Sequence, residues 1–216
     1  MGRLLAFGCS HTYGEGLADC VNYKIQKEER RADKASQYAW PAILGKKLDK
    51  QVINFGRPGC SNRFIANAIL NTDIKQDDLV IVLWTAGHNR TTIFKSFDME
   101  DISLVLPTKT DKISKVYYKY IHQYYNSFLE SIEYINLANS MCSVPIFNFK
   151  AIDVRDKTTW PDTLPDIEFV APKWNKVDLI DQSLYHVDFA TDDHHPGPES
   201  QKLIARDILD RIKLTD

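Results

Sequence analysis

Four short apolar runs, separated by segments with helical periodicity, constrain the fold of this chain more than any other feature. Each run is rich in β-branched and aromatic residues and ends at turn-forming residues, a pattern typical of buried strands. The runs are Leu4 to Phe7, Val52 to Phe55, Leu79 to Trp84 and Val144 to Phe149. Because parallel neighbours need crossover connections, the alternation predicts an α/β fold, a parallel sheet covered on both sides in a three-layer α/β/α sandwich.

The segments between the runs place apolar residues three and four positions apart, as on one face of a helix. Helices are expected from Trp40 to Leu48, after Ser61 with its hydroxyl as the cap, from Ile113 to Ile132, and after Pro198. We interpret residues 1–216 as a single domain. Residues 151–190 show little periodicity, and we expect them to cover one end of the sheet.

The composition excludes several classes of protein. Hydrophobic residues make up 44% of the chain and charged residues 26%, so neither a disordered protein nor a coiled coil is expected. The formal net charge of -2 provides no overall positive field, and we expect no nucleic-acid partner. The mixed-charge segment from Lys24 to Lys34 is predicted to be a solvated loop or an exposed helix without a chemical role.

Membrane insertion and secretion are not expected either. The longest apolar run is far shorter than the roughly 20 residues that span a bilayer, and no signal peptide is visible. Cysteines 9, 20, 60 and 142 are widely spaced, which favours reduced thiols and a cytoplasmic location.

Glycines and small polar residues follow each predicted strand, in residues 8–16, 56–62 and 85–90, and a further polar loop, residues 191–197, precedes the last helix. The carboxyl ends of parallel strands meet at one edge of a sheet, where ligands bind. Four of the six histidines, at positions 11, 88, 194 and 195, fall in these loops. This edge is therefore the expected functional site.

The loops contain the residue types of nucleophilic catalysis. A serine hydroxyl is a weak nucleophile unless an imidazole takes its proton and a carboxylate orients that imidazole. Ser10, His195 and Asp192 can supply these three roles, with Asp193 and His194 as a competing register one residue away. An oxyanion also needs fixed hydrogen-bond donors.

Four segments resemble, in sequence, order and spacing, the four blocks of the SGNH, or GDSL-type, hydrolases. They are FGCSHTYGEG (7–16), NFGRPGCSN (54–62), VLWTAGHNR (82–90) and DDHHPGPES (192–200). The resemblance implies a flavodoxin-like sandwich and the cleavage of ester bonds without a cofactor. It assigns the catalytic roles to Ser10 (nucleophile and oxyanion donor), Gly59 and Asn89 (oxyanion donors), and Asp192 and His195 (the D-x-x-H-P pair of the triad).

Two positions depart from the pattern of this family. Cys9 stands where the family usually has Asp, and Arg90 follows Asn89 where Asp is common. Neither residue carries the proton transfer, so the departures bear on specificity and local geometry. Six further polar residues of these loops are candidate substrate-binding residues: His11, Arg57, Asn62, His88, Arg90 and His194.

The sequence therefore predicts a serine esterase acting on a carboxylic ester, such as an O-acetylated sugar or a short acyl ester. Two alternatives remain open, an acyltransferase with the same triad and a catalytically inactive binding protein on the same scaffold. Ser10 and Asn89 also suit simpler roles as a helix cap and a turn residue. The Asp-Asp-His-His run lacks the paired spacing of a metal site, so no metal is predicted.

Overall fold

The computed structural model of the protein describes residues 2–20, 23–25, 28–30, 34–85, 90–95, 102–150, 178–180, 184 and 187–213. Its elements, in chain order, are β1 (Leu4–Gly8), α1 (Ser10–Tyr13), β2 (Tyr23–Ile25), β3 (Glu28–Arg30), α2 (Trp40–Leu48), β4 (Val52–Asn54), α3 (Asn62–Leu70), β5 (Leu79–Trp84), β6 (Thr91–Phe94), β7 (Ile102–Val105), α4 (Lys112–Tyr120), α5 (Tyr124–Met141), β8 (Ile146–Lys150), β9 (Asp178–Leu179) and α6 (Pro198–Lys213).

The central sheet has five strands in the order β4-β1-β5-β8-β9. Each pair of neighbours in it is parallel, and β1 lies between β4 and β5 with Leu4 opposite both Val52 and Leu79. The four strands expected from the apolar runs are β1, β4, β5 and β8. The short strand β9 was not expected, because two residues carry no periodicity.

Alternate residues of β1 and β5 enter two separate cores, as the pleat of a strand requires. Leu5 and Phe7 pack on the side covered by α3 and α5. Leu4 and Ala6 pack on the opposite side, which α2 and α6 cover. Burial of each large apolar side chain contributes roughly 1.5–3 kcal/mol, so both faces need a helical layer. The predicted three-layer α/β/α sandwich is confirmed.

The helix predictions hold with one correction. Ser61 caps α3 as expected, since its hydroxyl accepts a hydrogen bond of 3.4 Å from the Phe64 N–H. The single helix expected from Ile113 to Ile132 is instead two helices, because Gln123 adopts an extended backbone between them. Periodicity reports which residues share a face and does not detect one extended residue inside an apolar pattern.

Two hairpins replace expected or unassigned loops. The prediction for Lys24 to Lys34 was wrong, because β2 and β3 form an antiparallel pair within this segment. The backbone register places Lys24 opposite Glu29. A second antiparallel pair, β6 with β7, follows the loop after β5.

The sequence also predicted a covering segment and no membrane insertion. Most of the predicted covering segment, residues 151–190, lies outside the described residues. Among the described helices, none is long and apolar enough to cross a membrane.

Candidate active site

Ser10 begins α1, two residues after the end of β1, a strand that lies between β4 and β5. The N–H groups of Thr12 and Tyr13 donate to the Cys9 carbonyl at 3.1 and 3.0 Å, so the chain turns sharply at the end of the strand. The Glu15 N–H closes the turn by donating to the Ser10 carbonyl at 3.1 Å. This compact turn leaves Ser10 8% exposed, at the edge of the sheet where ligands bind.

Asp192 and His195 form a hydrogen-bonded pair in the loop before α6. The Asp192 Oδ1 accepts the N–H groups of His194 and His195, at 3.1 and 3.0 Å. Its Oδ2 lies 2.6 Å from the His195 Nδ1. Three donors to one carboxylate therefore hold the imidazole in a single orientation.

The charge of Asp192 determines which nitrogen of the His195 imidazole carries the proton. Partial burial raises the pKa of Asp192, but the hydrogen bonds from His195 and from the His194 N–H lower it more, so the net pKa is below its ordinary value. An ionised carboxylate only accepts hydrogen bonds. The His195 Nδ1 must therefore carry the proton, which leaves Nε2 as the nitrogen that can act as a base.

Gly16 joins the loop of Ser10 to the loop of His195 across most of the chain. Its carbonyl accepts both the N–H and the hydroxyl of Thr191, at 3.0 and 2.8 Å. Gly16 has φ +82, a conformation that favours glycine, and an added Cβ would lie 2.6 Å from the Asp192 Oδ2. Glycine therefore provides both the turn and the space for the carboxylate.

His195 contacts two neighbours of Ser10 in the first loop. Its ring lies edge-on to the His11 ring, with centroids 5.8 Å apart. Its Nε2 is 3.5 Å from the Glu15 Oε2, longer than the roughly 2.7–3.2 Å of a good hydrogen bond. In the described part of the chain, Ser10 Oγ makes no hydrogen bond to His195 and instead lies 3.9 Å from the Cys9 Sγ.

The loop after β4, residues 56–62, is attached through Gly8 to the end of β1, just before the loop of Ser10. The Gly8 carbonyl accepts the Arg57 N–H at 3.0 Å and the Cys60 thiol at 3.4 Å. Gly59 has φ +73, which again favours glycine. Neither the Gly59 N–H nor the Ser10 N–H has an acceptor within the described ranges, so both can serve an incoming oxyanion. Burial raises the pKa of Cys60, a thiol that therefore packs rather than reacts at neutral pH.

Asn62 is a candidate substrate-binding residue by sequence, but in the structure its side chain is buried and binds the backbone. It is 1% exposed, and its side chain bonds both backbone groups of Thr85, donating to the carbonyl at 3.1 Å and accepting the N–H at 3.0 Å. This contact holds the end of β5, just before the third loop. His88 and Asn89 in that loop lie outside the described residues.

The remaining candidates are spread around this edge. Arg57 lies over the Phe64 ring, with its Cζ 5.4 Å from the ring centroid. Arg90 lines a small recess that also contains Glu130. His194 is exposed, and the Asp192 carboxylate accepts its backbone N–H while it holds the ring of His195.

Sequence reasoning missed the residues that join the loops, above all Glu15 and Thr191. Glu15 is only 9% exposed, which is uncommon for a carboxylic acid side chain. The available signal was its position between Gly14 and Gly16, since two glycines mark a tight backbone path around an acidic residue. Thr191 carried no comparable signal.

Substituting Gly16 with alanine is expected to damage both stability and activity. The left-handed backbone costs a non-glycine residue about 1–3 kcal/mol, and the new Cβ would displace the Asp192 carboxylate. A misplacement of about 1 Å can lower kcat about 100-fold. Thermal unfolding measures the first effect, and the kcat of the ester hydrolysis that the sequence predicts measures the second.

Gly14 offers the matched control for this substitution. Its φ of +81 imposes the same backbone strain, but its nearest contacts are with Ser36, Ala39 and Leu17 rather than with Asp192. Gly14→Ala should lose stability with a much smaller loss of kcat. Equal losses of kcat in both variants would mean that the space beside Asp192 is unimportant.

Several solved structures are similar to this chain in fold. A carbohydrate esterase superposes with a TM-score of 0.50 at 10% sequence identity, over 98% of this chain and 65% of that protein. A carbohydrate acetylesterase family member from Sinorhizobium meliloti gives a TM-score of 0.49 at 12% identity, over 99% and 98% of the two chains. A member of the lipolytic G-D-S-L family from Veillonella parvula gives 0.46 at 15% identity, over 99% of both chains.

The chain has the SGNH hydrolase fold. No protein-family model and no curated protein sequence matches it. Within an SGNH hydrolase fold, the loops after β1 and β4 lie side by side at the carboxyl edge of the sheet, and the loop before α6 reaches them through Gly16. The fold thus explains why segments so distant in sequence meet at one place.

Proposed function

We propose that this protein is a serine esterase that cleaves a carboxylic ester through an acyl-enzyme on Ser10. The observation that carries the proposal is the hydrogen-bonded pair of Asp192 and His195, held against the loop that contains Ser10. A carboxylate on Nδ1 leaves Nε2 free to accept a proton, which is the arrangement a serine nucleophile needs.

The first proposed step is acylation of Ser10. The His195 Nε2 takes the proton of the Ser10 hydroxyl as Oγ attacks the carbonyl carbon of the ester. Asp192 stabilises the imidazolium that forms. The N–H groups of Ser10 and Gly59, with the side-chain amide of Asn89, donate to the oxyanion, and each such donor is typically worth about 10²–10³ in kcat.

The intermediate then collapses and the acyl group is released. The imidazolium gives its proton to the departing alcohol oxygen, the C–O bond of the ester breaks, and Ser10 keeps the acyl group. Water then attacks the acyl carbon while His195 takes its proton as the base. The bond between Ser10 Oγ and the acyl carbon breaks, His195 returns the proton to Oγ, and the acid leaves. Apart from the attacking water, protein side chains and backbone groups supply every acid, base and hydrogen-bond donor in these steps, so the proposed mechanism uses no cofactor.

The mechanism requires Nε2 to move from the side of Glu15 toward the Ser10 hydroxyl. Catalytic hydrogen bonds are often long in unliganded enzymes and tighten in the complex with substrate. The spatial neighbour with a TM-score of 0.50 is a carbohydrate esterase. We therefore propose an O-acetylated sugar or a short acyl ester as the class of substrate.

Labelling with a fluorophosphonate probe tests the nucleophile directly. The probe phosphonylates only an activated serine, so we expect one adduct per chain, located by mass spectrometry on the peptide that contains Ser10. His195→Ala should remove the adduct, whereas His194→Ala, one residue away, should retain it. Folded wild-type protein that takes up no probe would contradict the esterase and favour a binding protein.

Product analysis separates hydrolysis from acyl transfer. With an acetyl ester and an excess of a sugar alcohol, the esterase should release acetate in an amount equal to the ester consumed. Recovery of most of the acetyl group on the sugar would instead identify an acyltransferase, whose site must exclude water.

A further inference from the structure

A cavity of about 350 Å³ lies beside the nucleophile loop. Three aromatic residues, a proline, a glycine and one arginine line it, namely Tyr13, Phe55, Gly56, Arg57, Pro58 and Phe64. This volume is at the lower end of the roughly 300–1,000 Å³ of small-molecule sites. The cavity therefore suits a single ring better than a long acyl chain or an oligosaccharide.

The walls of this cavity belong to the loops of the proposed active site. Tyr13 ends α1, three residues after Ser10, and Arg57 precedes Gly59 by two residues. The Arg57 N–H donates to the Gly8 carbonyl at 3.0 Å, which joins the two walls. A group bound in the cavity is therefore close to an ester held between Ser10 and Gly59.

Flat side chains give the cavity its shape. Phe55 stacks on the buried Phe7, with ring centroids 4.7 Å apart and an interplanar angle of 5°. This contact holds Phe55 rigidly, while the face of Phe64 supports the Arg57 guanidinium at 5.4 Å. Rigid aromatic walls favour ligands that also carry a flat or ring-shaped apolar face.

Arg57 brings a positive charge to the wall of this cavity. Within the described ranges, no Asp or Glu lies within ion-pair distance of its guanidinium, which is half-buried over Phe64. Arg63 makes the same kind of contact with Phe94, at 5.6 Å, but it is also near Glu130. Burial raises the pKa of Glu130, and the charge of Arg63 opposes that rise. Arg57 therefore places a positive charge in the wall of the cavity, whereas Arg63 lies outside its lining.

We propose that this cavity binds a six-membered ring that carries a carboxylate, as part of the ester substrate; the inference rests on the proposed esterase function. The guanidinium matches a carboxylate with two parallel hydrogen bonds, and the ring would lie against the aromatic walls. One arginine balances one negative charge, so a carboxylate fits better than a doubly charged phosphate. The ring can belong to a uronic acid or to an aryl acid.

Paired substrates test the proposal and distinguish the two sources of the ring. The pairs are O-acetylated glucuronic acid with O-acetylated glucose, and 4-acetoxybenzoate with phenyl acetate. We expect a higher kcat/KM for the acidic member of at least one pair, expressed mainly through KM. The pair that shows the preference identifies the ring as sugar or aryl.

Arg57→Gln should lower the preference for the acidic member about 10–100-fold, the value of a charge-assisted hydrogen bond. Arg57→Lys, which keeps the charge but loses the forked geometry, should give an intermediate preference. Arg63→Gln is the matched control and should leave the preference as in the wild type. A preference that survives Arg57→Gln, or that Arg63→Gln lowers equally, would overturn the proposal, as would equal rates within both pairs.

A binding experiment separates failure of this inference from failure of the esterase. If the folded wild-type protein hydrolyses none of the four esters, the proposed function fails, and binding of benzoate and of glucuronate is followed by NMR. Saturable binding of either acid that Arg57→Gln weakens and Arg63→Gln does not would still support the cavity. No binding of either acid would refute it.

Discussion

Replacing Ser10 with alanine is expected to lower the kcat for a short-chain nitrophenyl ester about 10⁶-fold, because the reaction loses its nucleophile. The fold should survive. Ser10 Oγ has a long contact of 3.9 Å with the Cys9 Sγ, so its removal leaves no strong hydrogen-bonding partner unsatisfied. Steady-state kinetics and thermal unfolding measure the two properties separately.

Ser140→Ala provides the control for this loss. Ser140 is exposed near the end of α5, and its hydroxyl donates to the Leu137 carbonyl within the helix. Both variants should unfold at nearly the temperature of the wild type, and only Ser10→Ala should be inactive. If Ser10→Ala retained kcat within tenfold of the wild type, another residue would have to be the nucleophile.

Replacing Asp192 with asparagine is expected to lower kcat about 10⁴-fold. The asparagine side chain keeps the size of the carboxylate, and its oxygen can still accept the N–H groups of His194 and His195. An amide facing the His195 Nδ1 would favour the tautomer with the proton on Nε2, which can no longer act as the base. The expected result is a fall in kcat with a smaller change in KM.

Asp193→Asn is the matched control, because it makes the same chemical change in the competing register. Asp193 has φ +58, a conformation that asparagine also tolerates, and it is exposed. We expect kcat near that of the wild type. A loss at Asp193 that equals the loss at Asp192 would mean that the register of the catalytic pair is misassigned.

Asp192→Asn should also change how the stability of the protein depends on pH. The pKa of Asp192 is lower in the folded protein than its ordinary value of about 3.9. Its charged form therefore adds stability above about pH 4, and this contribution is lost as the pH falls through the folded pKa. The difference in unfolding free energy between the wild type and Asp192→Asn should shrink at acidic pH.

Most of the sandwich could be predicted because its strands are buried on both faces. Such strands are continuous apolar runs, and Leu79 to Trp84 is the clearest of them. The pairs β2 with β3 and β6 with β7 could not be predicted in the same way, since they lie outside the central sheet and carry no such run. Their register depends on pairing between neighbouring segments.

The candidate active site was likewise predictable only in part. Ser10, Asp192 and His195 were identified from residue types in loops that a parallel sheet brings to one edge, and a resemblance to a known family assigned their roles. The function of Asn62 was not readable, because an asparagine in a polar loop suits a ligand as well as a backbone. The two hydrogen bonds of its side chain to Thr85 show that Asn62 holds the backbone.

The layered architecture and the edge where the chemistry is expected could be read from the amino-acid sequence, because apolar periodicity and loop composition are local properties of the chain. The folded structure was needed to show which nitrogen of His195 faces Asp192 and that Glu15 lies beside the other nitrogen. Among the described residues it also shows no carboxylate within ion-pair distance of Arg57. Those facts are distances between residues far apart in sequence. Hydrogen bonds and charges act over a few ångströms, so no local pattern in the chain encodes them.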